Sequence, residues 1–125
     1  MLGSIPANRR SFGGENEALA VQFLEEKGCQ ILDRNYRAPV GEIDIVAQQR
    51  DCLCFVEVRS RRSTRFGSPV DSIDFKKRQH LIRTAQWYLQ SKPWEGEIRF
   101  DVISITYSGE QAEIEWIPNA FELEQ

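Results

Sequence analysis

Apolar residues recur at helical spacing between residues 15 and 27, where Ala18, Leu19, Ala20, Val21, Phe23 and Leu24 cluster. Glu15 and Glu17 suit the first turn, beside the positive end of a helix dipole, and Gly28 suits the stop. Residues 29–37 alternate imperfectly and read as a strand, which Ala38-Pro39-Val40-Gly41 breaks. Two β-rich runs follow, 42–48 and 53–59, and the four polar positions between them predict a hairpin. A basic loop with Ser and Gly covers 61–69, and a second helix over 72–89 ends before Lys92-Pro93. Strands over 98–107 and 112–117 flank the turn Ser108-Gly109. The order α-β-β-β-α-β-β predicts a layered α/β or α+β domain with helices bracketing one sheet.

A length of 125 residues and a mass of 14.5 kDa bound the chain to one domain. Residues 1–12 lack apolar periodicity and read as a flexible lead-in, 13–119 as the single domain, and 120–125 as an acidic tail. Apolar runs reach only a few residues, against about 20 for a membrane helix, which excludes a membrane span. Arg9 and Arg10 have no apolar stretch behind them, so no secretory signal is expected and the cytoplasm is the expected location. Three cysteines, two of them in Cys52-Leu53-Cys54, fit reduced thiols better than a disulfide framework. His80 is the lone histidine and Cys29 has no partner at ligand spacing, which argues against zinc.

Charge changes the picture locally. The net charge is −3, yet the stretch from Arg59 to Arg83 holds eight basic and two acidic residues, a local +6 that leaves −9 elsewhere. One face of an acidic protein can thus meet a polyanion, although a solvated helix face beside a polar loop fits the count equally.

The central strands carry the chemical anomaly. Alternation puts Cys52, Cys54, Val56 and Val58 on one face and Leu53, Phe55, Glu57 and Arg59 on the other. Ile43, Ile45 and Ala47 likewise oppose Glu42, Asp44 and Val46. Strands apolar on both faces are covered on both sides, so charges there need an explanation. With a loop over 49–52, Gln48 faces Leu53, Asp44 faces Glu57 and Glu42 faces Arg59. Facing Cβ atoms lie about 4.5–5.5 Å apart, and two carboxylates so placed repel unless a proton or cation intervenes. Mg²⁺ meets that need with one or two carboxylates plus substrate phosphates. The competing pattern is structural: Glu57 pairs with Arg59 or Arg61, and Asp44 caps a turn or meets Arg37.

Gly41-Glu42-Ile43-Asp44-Ile45-Val46-Ala47 and Phe55-Val56-Glu57-Val58-Arg59-Ser60-Arg61 together resemble the signature of the YraN-type family of small bacterial proteins. That family resembles the restriction-endonuclease-like superfamily, and within it the archaeal Holliday-junction resolvases. The likeness spans residues 13–105 and includes Glu17, Gly28, Arg34-Asn35-Tyr36-Arg37, Phe66-Gly67, Lys77 and Arg99-Phe100-Asp101-Val102. It implies a restriction-endonuclease-like three-layer α/β domain, a central mixed β-sheet flanked by helices. It also implies a metal-dependent endonuclease acting on DNA, with Mg²⁺ or Mn²⁺ held by Glu17, Asp44 and Glu57. Arg59 stands where the superfamily motif has lysine, and a permanently protonated guanidinium can touch phosphate but cannot act as a base. Asn16 stands where the family usually has glycine.

Arg61, Arg62, Arg65, Lys76, Lys77, Arg78 and Arg83 are the candidate phosphate contacts, about half of them expected to be idle. The substrate expected is duplex or branched DNA, with flaps and junctions included, a homodimer is compatible, and no small-molecule cofactor is expected. Two alternatives stand beside the nuclease: a nucleic-acid-binding domain that kept the scaffold and lost cleavage, and a protein-interaction domain using the acidic C-terminus. Trp87, Tyr88 and Leu89 with Ile82 and Ala85 read as a packing stripe, Trp94 and Trp116 as the buried end of the sheet, and Asp101 as the partner of an arginine.

Overall fold

The period-two runs assemble into one sheet because each exposes an apolar row that needs cover. The structure is a computed structural model that describes residues 2–6, 13–62 and 69–122. Its elements are β1 (Leu2–Pro6), α1 (Gly13–Glu26), β2 (Gln30–Ala38), β3 (Gly41–Gln49), β4 (Cys52–Arg61), α2 (Phe75–Ser91), β5 (Glu97–Ser108) and β6 (Gln111–Phe121). The sheet runs β1-β6-β5-β4-β3-β2, with β4 and β5 parallel and the other neighbours antiparallel. The helices cover opposite faces. Ala20, Phe23 and Leu24 of α1 pack on Ile45, Cys54, Val56, Ile103 and Ile114. Leu81, Ile82, Ala85 and Tyr88 of α2 pack on Val46, Leu53, Phe55, Phe100 and Val102. This is the three-layer α/β arrangement of the restriction-endonuclease-like fold.

Local chemistry sets the element ends. Gly28, at φ 91°, closes α1 with Gly28 N donating to Glu25 O (3.0 Å) and Cys29 N to Leu24 O (3.0 Å). The second helix starts at Phe75 rather than residue 72, because the Asp74 carboxylate caps it by accepting from Lys77 N at 2.9 Å. Pro69–Ser72 forms a separate 3₁₀ turn. Gly41 lies under α2, where an added Cβ would stand 2.8 Å from Thr84 Oγ1, itself buried and donating to His80 O at 2.7 Å. Gly41→Ala is therefore expected to push the helix off β3 and cost roughly 1–3 kcal/mol, read as a lower urea midpoint at unchanged slope.

The sheet takes in more chain than the pattern gave it. Leu2–Pro6 pairs with β6 from Leu2↔Glu115 to Pro6↔Gln111, where the sequence read as a flexible lead-in. An edge strand tolerates Gly, Ser and Pro, and the ladder orders it without any alternation of its own. Residues 7–12 of the lead-in and residues 123–125 of the expected acidic tail lie outside the described residues. At the other end β6 continues past Pro118 to Phe121, which is buried and stacks on Phe100 with centroids 4.9 Å apart. The expected boundary at 119 is thus too short. A register shift and the left-handed Asn119 (φ 53°) carry the strand past a residue that cannot donate.

Candidate functional site

The site forms where β3 parts from β4. The ladder runs Gln49↔Cys52, Gln48↔Leu53, Ala47↔Cys54, Val46↔Phe55 and Ile45↔Val56. This is the expected register, closed by a shorter turn of Arg50 and Asp51, with Arg50 at φ 54°. Beyond Ile45 the side chain of Asp44 takes over from the backbone, its Oδ2 accepting from Val58 N at 2.8 Å. The alternation of β3 turns over here too: Ile45 packs on the α1 side, but Ile43 packs on the α2 side instead of sharing that face.

Asp44 and Glu57 meet, as the register requires, and their carboxyls share a hydrogen bond. Glu57 is buried, and its pKa is pushed up to about 7, first by loss of water, then by the hydrogen bond to Asp44 and its charge. Lys77 Nζ, 3.2 Å from Glu57 Oε2, and Arg59 Nη2, at 3.5 Å, pull the other way. Glu57 thus has both partners at once, the carboxylate and the cations.

Glu17 projects from α1 toward Asp44 from the other side, and burial foremost raises its pKa, against the Arg34 guanidinium whose Nε lies 3.3 Å from Glu17 Oε1. Asp44 therefore couples to both other acids. Among the described residues no group of three His, Cys, Asp or Glu side chains is arranged to hold a metal ion, so the acids stand as a close pair with Glu17 paired to Arg34 beside it. Beside Asp44 opens a cleft of about 520 Å³ lined by Asn16, Glu17, Asn35, Arg37 and Ser60, among others. Asn16 fixes its wall, donating to Ser60 Oγ at 3.0 Å and accepting from the Tyr107 hydroxyl.

Several expectations need correction. Glu42 is not paired with Arg59, because the β3–β4 ladder ends at Ile45↔Val56; on its β2 side it pairs with Arg37, whose Nε lies 3.3 Å away. Trp87 is not core: it is 45% exposed, whereas Tyr88 beside it is buried. Arg78 is tied into the fold, donating from Nε to Ile73 O at 2.9 Å and stacking over Phe121. Lys77 sits at the acid pair, Arg62, Lys76 and Arg83 are exposed, Arg61 is half-buried, and Arg65, with Phe66-Gly67, lies outside the described residues. Asp101 does partner an arginine, accepting from Arg99 Nε at 2.9 Å, and Trp116 is buried beside it. Spacing alone missed the place of Lys77, although a signal exists: Lys77, Leu81, Thr84 and Tyr88 share the inward stripe of α2.

The comparisons agree with the signature in β3 and β4. The profile of the uncharacterised protein family UPF0102 matches residues 16–105, which include Glu17, Asp44, Glu57 and Lys77. The chain belongs to this family. A UPF0102 protein of Myxococcus xanthus is 42% identical over 98% of both chains. Those of Geobacter metallireducens and Persephonella marina are 44% and 45% identical, over 93% and 90% of this chain and 96% and 94% of their own. The YraN-type likeness is thereby borne out along nearly the whole length of this UPF0102 chain. No helix among its described residues is long and apolar enough to cross a membrane.

Proposed function

We propose that this UPF0102 protein is a metal-dependent endonuclease-like phosphodiesterase acting on DNA, with branched or flapped forms as its substrates. The observation that carries the reading is the Asp44–Glu57 carboxyl pair at the parting of β3 and β4, with Lys77 and Arg59 beside it. The pair fits Mg²⁺ or Mn²⁺, since one cation relieves the repulsion that otherwise traps a proton there. Such a cation, when bound, would polarise the phosphodiester and acidify a water. Hydrolysis would form one P–O bond to a water oxygen and break one to a deoxyribose oxygen, which would take up a proton and depart as a hydroxyl. Asp44 and Glu57 would supply the negative charge that holds the cation, and the bond from Val58 N fixes the Asp44 carboxylate in place for it. Lys77 supplies the ammonium that Arg59 cannot replace as a proton donor, and Arg59 contacts phosphate.

Arg59 also favours a second reading, binding without cleavage, in which Lys77 and Arg59 neutralise Glu57 permanently. Incubation with end-labelled linear, flapped and four-way-junction DNA in Mg²⁺ or Mn²⁺ separates the two. Cutting is expected, reduced at least about a hundredfold in Asp44→Asn and in Lys77→Met. Salt-dependent binding with no cutting in either metal leaves only the second reading, and neither binding nor cutting rejects both.

A further inference from the structure

The outward face of α2 has a composition unlike the rest of the chain. From Phe75 to Ser91 the helix carries Lys76, Lys77, Arg78 and Arg83 and no acidic residue, in a chain whose net charge is −3. Lys76, His80, Arg83 and Trp87 stand at i, i+4, i+7 and i+11, which is one stripe, and all four are exposed. The other exposed large apolar side chain among the described residues is Phe75, 66% exposed, at the start of the same helix. From Lys76 to Trp87 the stripe extends about 16 Å along the axis. Gln86 and Gln90 are the exposed amides around Trp87.

We infer that this stripe is a platform for single-stranded nucleic acid: Lys76 and Arg83 take phosphates and Trp87 stacks on an unpaired base. Charge chooses a polyanion, and the exposed indole selects among polyanions. A base offers a flat face to Trp87, whereas an acidic peptide or the backbone of an intact duplex offers it nothing to stack on. A lipid surface would need an apolar face, and the apolar face of α2 is already buried against Phe55, Phe100 and Val102. Such a platform beside Lys77 gives a flap or frayed end a track leading from the acid pair. The inference rests on the proposed nucleic-acid substrate but not on cleavage, so it is tested without chemistry.

The probe is a labelled thymidine oligonucleotide of about twelve residues, titrated in EDTA by anisotropy against an abasic chain of equal charge, a duplex and phosphatidylglycerol vesicles. The oligonucleotide is expected to bind about tenfold more tightly than the abasic chain, and Trp87→Leu, which keeps an apolar contact, to erase that difference. Arg83→Ala is expected to weaken both single strands alike and to lower the salt slope by about 0.7. Equal binding of the two single strands, an undiminished preference in Trp87→Leu, or tighter binding of duplex or vesicles overturns the inference. Junction cutting with no such preference would sink it while leaving the nuclease reading standing; the preference without cutting would do the reverse.

Discussion

Glu57→Gln is expected to stabilise the fold above pH 7 and to remove divalent-cation-dependent cleavage. The carboxyl titrates at about 7 in the folded protein against a usual value near 4.5, chiefly because burial penalises its charged form. A pKa raised on folding means that the native state holds its proton more tightly than the unfolded chain. The associated stability is complete below pH 4.5, fades as pH climbs, and is lost once pH passes about 7. Gln keeps the neutral shape at every pH, so the variant escapes that decline. Urea unfolding at pH 4.5, 6 and 8 should show the two proteins converging at low pH and the variant ahead by roughly 2–3 kcal/mol at pH 8. A variant weaker than the parent at pH 8 contradicts the assignment. Cleavage should fall by about a thousandfold, since one of two charges holding the cation is gone. Cation binding by the parent should strengthen with rising pH through 7, releasing a proton as it does.

The second large effect is structural. Asp101 is 1% exposed and accepts from Arg99 Nε at 2.9 and 3.1 Å, Trp116 Nε1 at 2.9 Å and Asn119 N at 2.9 Å. It sits on β5 opposite Val56, and so behind the strand that carries Glu57. Asp101→Ala removes the acceptor used by the Trp116 indole, the Asn119 amide and Arg99 Nε, although Arg99 Nη2 keeps its bond to Gln49 Oε1 at 2.8 Å, at an expected cost of about 3–5 kcal/mol. Against a total stability of roughly 5–15 kcal/mol this is a melting temperature lower by about 10–20 °C. Asp101→Asn preserves part of the acceptor geometry and should fall between. A loss under about 1 kcal/mol for the alanine variant would show that β5 and β6 do not depend on this carboxylate.

How far the sequence could be read depended on whether a feature was periodic. Both helices, the hairpin and its register followed from spacings, and the register alone brought Asp44 to Glu57. Leu2–Pro6 could not be read that way, because Gly3, Ser4 and Pro6 hide any alternation and only the partner strand orders them. Phe121 was missed because Pro118 looks like a strand end, and the shift that passes it is tertiary. The turnover of β3 between Ile43 and Ile45 defeated strict alternation, since Asp44 leaves the ladder there to meet Val58 N. Two adjacent lysines give the plainest case. Lys76 falls with His80, Arg83 and Trp87 on the outer stripe, Lys77 with Leu81, Thr84 and Tyr88 on the inner one. Counting charge pooled them, whereas helical phase separates a surface cation from one at the acid pair.

The bond from Val58 N to Asp44 gives the two acids different evolutionary meanings. Asp44 is part of the sheet, so a lineage that abandoned catalysis would still be under pressure to keep it. Glu57 is expected to add less to the fold once pH passes about 7, and if Glu57→Gln gains stability there, drift toward glutamine is open to any descendant with no use for the charge. Retention of Glu57, rather than of Asp44, is the record that selection for chemistry leaves in such a chain.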